Sequence, residues 1–75
     1  MTCQQMEDRI KDRYPNCEVA VIDMTGSQNH FEVRISEPSF AGQSRIQQHK
    51  AIMDVFDIEL KSGEVHALSI KTLKF

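Results

Sequence analysis

A small α+β domain in the order α-β-β-α(-α)-β, with a three-stranded sheet and helices packed on one face, is the fold class this sequence predicts. Three observations carry it. Apolar and polar residues alternate strictly over His30–Ser36, a run rich in β-branched residues covers Cys17–Met24, and two other stretches repeat apolar residues three and four apart. A chain of 75 residues holds one domain, spanning 1–75, because at this size folding buries only about 60 % of the unfolded surface.

The first helix spans Thr2 to Tyr14. Met6 and Ile10 lie four apart, Tyr14 continues their row, Thr2 is a suitable N-cap, and Pro15 disfavours helical geometry at Tyr14. Cys17–Met24 follows as a strand, bounded by Pro15-Asn16 before it and the Gly26 loop after it. His30–Ser36 is the second strand, with Phe31, Val33 and Ile35 on the buried face and His30, Glu32 and Arg34 on the wet one. The two strands pair as an antiparallel hairpin.

Glu37-Pro38-Ser39 ends that pattern. Ser44 then caps a helical stretch to Lys61 whose stripe is Ile46, His49, Ile52, Met53, Phe56 and Leu60. The stretch reads as one helix or as two short ones, and the mixture of β-branched residues and Asp over Asp54–Asp57 is where a break would fall. Ser62-Gly63 stops it, and Glu64–Thr72 is the third strand.

Nine Lys and Arg against eleven Asp and Glu leave a net charge of -2, with a pI near 5.8. That balance argues against tight non-specific binding of nucleic acid, which calls for clustered cations. Two cysteines, Cys3 and Cys17, are too few for a disulfide-stapled scaffold, so reduced thiols in a cytoplasmic setting are expected. The N-terminus has no apolar h-region, and no run of apolar residues is long enough to span a membrane.

No Gly-rich phosphate loop, CxxC, HExxH or GxSxG motif is present, and a core this small is not expected to enclose a sizeable pocket. An enzyme is therefore not expected. The three histidines are the candidates for metal chemistry. His49 lies on the apolar stripe, where a packed histidine bonded to backbone is the ordinary role. His30 opens a strand on its wet face, and His66 stands near the start of the third strand in phase with Leu68 and Ile70, a rim position. Cys17 keeps phase with Val19 and Val21 as a small buried hydrophobe, whereas Cys3 lies in the first turn of a helix.

The stretch Phe40-Ala-Gly42-Gln-Ser-Arg45-Ile-Gln-Gln-His49, followed by Val65-His66-Ala67-Leu68, resembles the signature of the BolA-like protein family. Ile22-Asp23 and Gly26-Ser-Gln-Asn-His30-Phe31 resemble the first hairpin of that family, so the likeness covers nearly the whole chain. It implies an α-β-β-α-α-β fold similar to the class II KH arrangement. It also implies a partner, a monothiol glutaredoxin, with which such proteins share a bridging 2Fe-2S cluster in iron-sulfur cluster trafficking and iron homeostasis. Some bacterial members are described as regulators of transcription.

Carried onto this chain, the family's cluster ligand on the third strand is His66. The family's second ligand is a Cys or His four residues before the aromatic that starts the second strand, and here that position is Ser27, a poor ligand for a soft metal. Either His66 serves alone or His30 substitutes. The helix that follows the last strand in many members has no counterpart before Phe75.

The KH-like topology implies an alternative, a nucleic-acid-binding regulator whose phosphate contacts are Arg45, Lys50, Lys71 and Lys74. Three or four cations on an acidic domain predict weak DNA binding, with a salt slope of about -0.9 per phosphate neutralised. A third reading is a plain protein-docking module without metal. The sequence leaves open whether two copies pair as a homodimer.

Overall fold

The computed structural model describes residues 1–26 and 30–73. Its elements are α1 (Cys3–Arg13), β1 (Glu18–Asp23), β2 (His30–Ser36), a short 3-10 turn (Pro38–Phe40), α2 (Arg45–Val55), α3 (Asp57–Ser62) and β3 (Ala67–Thr72). This is the predicted order, with the long helical stretch divided at Phe56.

Both longer helices start with the same device. Thr2 and Ser44 each accept the backbone N–H of the residue three ahead, and Gln5 and Gln47 reach back to the N–H of the cap, so two otherwise orphaned donors are satisfied at each end. Tyr14 closes α1, its N–H bonded to the Ile10 carbonyl at 2.8 Å, and its ring meets Phe40 edge-on at 5.5 Å. α3 ends at Gly63, whose φ of 84° is left-handed and needs no side chain.

The sheet order is β1-β2-β3. β1 and β2 are antiparallel with Val21 opposite Val33, as expected for a hairpin. β3 returns through the α2–α3 crossover and pairs parallel to β2, with Val33 opposite Ile70 and His30 opposite Ala67. α1 lies along β1, and the Glu7 carboxylate accepts the Val21 N–H at 3.1 Å. That bond occupies a donor of the edge strand that would otherwise be free to pair.

One core holds these elements: Met6 and Ile10 from α1, Cys17 and Val21, the β2 residues Phe31, Val33 and Ile35, then Phe40, Ile52, Phe56, Val65 and Ile70. Three expectations are corrected. First, the α2 stripe is rotated: Ile52 and Phe56 are fully buried, but Ile46 is 81 % exposed and Met53 faces solvent. A six-residue spacing turns a helix by about 240°, so Ile46 and Ile52 cannot share a buried line.

Second, β3 begins at Ala67 rather than Glu64. Val65 turns its side chain into the core and gives its N–H to the Glu59 carbonyl at 3.1 Å, so this segment bonds to α3 before it reaches the sheet. Third, Glu32 is buried, not wet. Its strand is central, and its carboxylate lies between the half-exposed Arg34 at 2.9 Å and Lys71 at 3.5 Å, which cover and neutralise it. Among the described residues no helix is long and apolar enough to cross a membrane.

Candidate metal centre at one end of the sheet

His30 is the first residue of β2, and its carbonyl accepts the Met24 N–H at 2.8 Å, which closes the hairpin beneath it. Asp23 braces the same turn, accepting the N–H groups of Thr25 at 3.3 Å and Gly26 at 2.9 Å. Alternation along β2 places the His30 side chain on the sheet face away from the helices, together with Glu32 and Arg34.

His66 reaches the same place from a distant part of the chain. Because β2 and β3 are parallel, their starting ends coincide, and the residue just before Ala67 arrives beside His30. Strand phase alone would have set His66 with Leu68 and Ile70 toward the core. Lying outside β3, it is instead exposed, and its ring stacks on that of His30 with centroids 6.0 Å apart and planes inclined by 10°. Neither imidazole has a hydrogen bond or an ion pair among the described residues.

The approach of His66 is fixed from both sides. Val65 anchors it to α3, and Glu59, whose carbonyl holds Val65, also binds Arg9 of α1 through its carboxylate. The Arg9 hydrogen bond keeps the Glu59 carboxyl below its usual range, against the opposing effect of burial. The Arg9 guanidinium also lies 5.6 Å from the centre of the Phe56 ring, so α1, the α2–α3 joint and the entry to β3 form one assembly.

Farther along the same face lies the Glu32 cluster. The Arg34 hydrogen bond is the main cause that lowers the Glu32 pKa; burial opposes it and the Lys71 charge assists. Among the described residues no group of three or more His, Cys, Asp or Glu could hold a metal, and the histidine pair is a set of two candidate ligands.

The remaining candidates are dispersed. Ser27 and Lys74 lie outside the described residues. His49 is half-buried on α2, but the expected bond to backbone is not among the described residues. Cys17 is buried, and burial, with the Glu37 charge, raises its thiol pKa; Cys3 is half-buried.

Arg45 lines a cleft beside Thr72 and Leu73, Lys50 lines a separate recess with Gln43 and Asp54, and Lys71 is committed to Glu32 on the outer sheet face. The cleft, of about 610 Å³, is larger than expected for this core. It sits at the ends of β2 and β3 away from the histidines, and its polar groups mostly serve the fold. Gln48 donates to the carbonyls of Phe40 and Gln43, and Glu37 caps the Ser39 N–H.

Comparison with known proteins agrees with this fold. The family model described as BolA-like protein matches residues 7–74. The chain is 30 % identical over 73 residues to the RP812 protein of Rickettsia prowazekii, covering 97 % of this chain and 94 % of that one. The BolA domain of SufE1 from Arabidopsis thaliana superposes with a TM-score of 0.82 at 30 % identity, covering 93 % and 87 % of the two chains. BolA1 of the same plant also superposes at 0.82, with 24 % identity and the same coverage, and shows the likeness of fold.

Proposed function

Because the chain belongs to the BolA-like protein family, we propose that it is a non-enzymatic adaptor that pairs with a monothiol glutaredoxin and helps to ligate a labile 2Fe-2S cluster shared by the two proteins, in iron-sulfur cluster trafficking or iron regulation. The observation that supports this reading is the pair His30 and His66, stacked at 6.0 Å with their nitrogens free of other partners among the described residues.

The donor set fits. Iron-sulfur centres accept imidazole in place of thiolate, which raises the reduction potential. His66 is the primary ligand, and His30 takes the place left by Ser27. The domain holds the backbones that carry both rings, through the hairpin closure at Met24 and the Val65 anchor, and the remaining ligands come from the glutaredoxin. Of the cations of the nucleic-acid alternative, Arg45, Lys50 and Lys71 stand on separate surfaces, so among the described residues they form no stripe that could follow a phosphate backbone.

The test is reconstitution of a cluster on the mixture with a monothiol glutaredoxin, followed by visible absorption and circular dichroism. The mixture is expected to give a spectrum distinct from that of the glutaredoxin alone, and His66→Ala to abolish the difference. A heterocomplex spectrum unchanged by His66→Ala refutes the ligand assignment. Complex formation without any spectral change would favour a docking module that holds no metal.

A further inference from the structure

We propose that His30 and His66 also form a site for a single divalent cation of borderline softness, Cu2+, Ni2+ or Zn2+, on this chain alone. The site uses the imidazoles of the reading above but needs no glutaredoxin. Its first support is dimension. With a metal–nitrogen bond of about 2.0–2.1 Å and about 1.1 Å from nitrogen to ring centre, two imidazoles on one tetrahedral ion have centres about 5.2 Å apart. The observed separation is 6.0 Å, so the rings need to close by less than about 1 Å.

They must also turn, because parallel stacked rings do not direct two nitrogens to one point. His66 is exposed and outside β3, so its ring turns without disturbing the core or breaking a ladder bond. Neither ring surrenders a hydrogen bond to another described residue when it binds. The two backbones are held, His30 by strand pairing and His66 between Val65 and Ala67, so little ordering of the chain is required.

The donor chemistry selects the ion. Two neutral nitrogens suit Cu2+, Ni2+ and Zn2+ and disfavour Mg2+ and Ca2+, which take oxygen ligands. With two ligands among the described residues the other positions are open to water, and the general order of divalent affinity places Cu2+ above Ni2+ and Zn2+.

The experiment is titration of the isolated chain with Ni2+, Zn2+ and Cu2+ in turn, read by calorimetry and NMR, in a Cys3→Ser background that removes the accessible thiol. One ion per chain is expected, with perturbed resonances centred on His30 and His66. His30→Ala and His66→Ala should each weaken binding by at least roughly 10–100-fold, the loss seen when even a group behind a ligand is removed. His49→Ala should leave affinity unchanged, and far-UV circular dichroism reports that each variant is folded.

Wild-type affinity in His66→Ala, or binding that depends equally on His49, overturns the proposal. Failure here with a His66-dependent glutaredoxin spectrum retained would refute this site and spare the proposed function. The reverse pattern would do the opposite.

Discussion

Replacing Ile52 and Ile46 with alanine, one at a time, tests the packing of α2 against the periodicity that the sequence suggests. Both residues belong to the same apolar stripe in the sequence, but Ile52 is 0 % exposed and Ile46 is 81 % exposed. Ile52→Ala removes a side chain whose burial is worth roughly 1.5–3 kcal/mol and leaves a cavity between α2 and the sheet. The total cost is about 2–5 kcal/mol. At about 0.05–0.15 kcal/mol per residue the whole domain is stable by only about 4–11 kcal/mol, so this one change removes a large share. Ile46→Ala should stay within about 0.5 kcal/mol, with alanine's better helix propensity offsetting any lost contact. Urea unfolding followed by far-UV circular dichroism reads both. At an m-value of about 1 kcal/mol per M, the Ile52→Ala midpoint falls by about 2 M or more while that of Ile46→Ala barely moves. Equal losses in the two variants, or a loss below about 1 kcal/mol for Ile52→Ala, would refute the observed orientation of the helix.

Acid stability should depend on Glu32. Its carboxyl is held below the usual carboxylate range, chiefly by the Arg34 hydrogen bond, so its contribution is present above the unfolded value and disappears as pH falls through the lower folded one. Glu32→Gln should therefore lower stability at neutral pH and flatten the acid limb; parallel stability curves for the two proteins below that pH would contradict this. Gly63→Ala, at a φ of 84° with nothing within 4 Å of the added Cβ, should cost about 1–2 kcal/mol from backbone strain alone, and an unchanged thermal midpoint would show that the α3 terminus relaxes freely. Iodoacetamide should alkylate Cys17 slowly in the native protein and readily in denaturant, because burial both shields the thiol and raises its pKa. Native labelling at the rate of a free thiol would place Cys17 outside the core.

Local chemistry made much of this fold legible. The alternation at Phe31, Val33 and Ile35, the caps at Thr2 and Ser44, the stop at Gly63 and the division near Asp54–Asp57 all follow from residues close in sequence, and all appear in the structure. Depth and orientation were less legible. Ile46 and Met53 read as core because helical spacing alone does not say which of two adjacent faces meets the sheet. Glu32 read as exposed because period-two alternation does not reveal that its strand is central, nor that Lys71, thirty-nine residues later, returns to share its carboxylate with Arg34. A carboxylate on a strand with an Arg two positions later is the available hint, and it is weak.

The histidine pair was hidden for a related reason, the direction of the last strand. Composition and periodicity are the same for a β3 that runs parallel or antiparallel to β2. Were it antiparallel, the start of β3 would lie beside Ser36, at the end of β2 opposite His30. The α2–α3 crossover carries the chain back to the beginning of β2, and only this return brings residues 36 positions apart into a stack. The crossover therefore builds the candidate site although none of its helices contributes either imidazole. Arg9, Glu59, Phe56 and Val65 tie α1, α3 and the entry to β3 together and thereby set where His66 emerges. A domain of 75 residues has little interior in which to enclose a metal group. It can still hold two imidazoles at the rim of a sheet, at the small entropic cost of rings on backbones already fixed, which is the arrangement the proposed sharing of a cluster with a partner calls for.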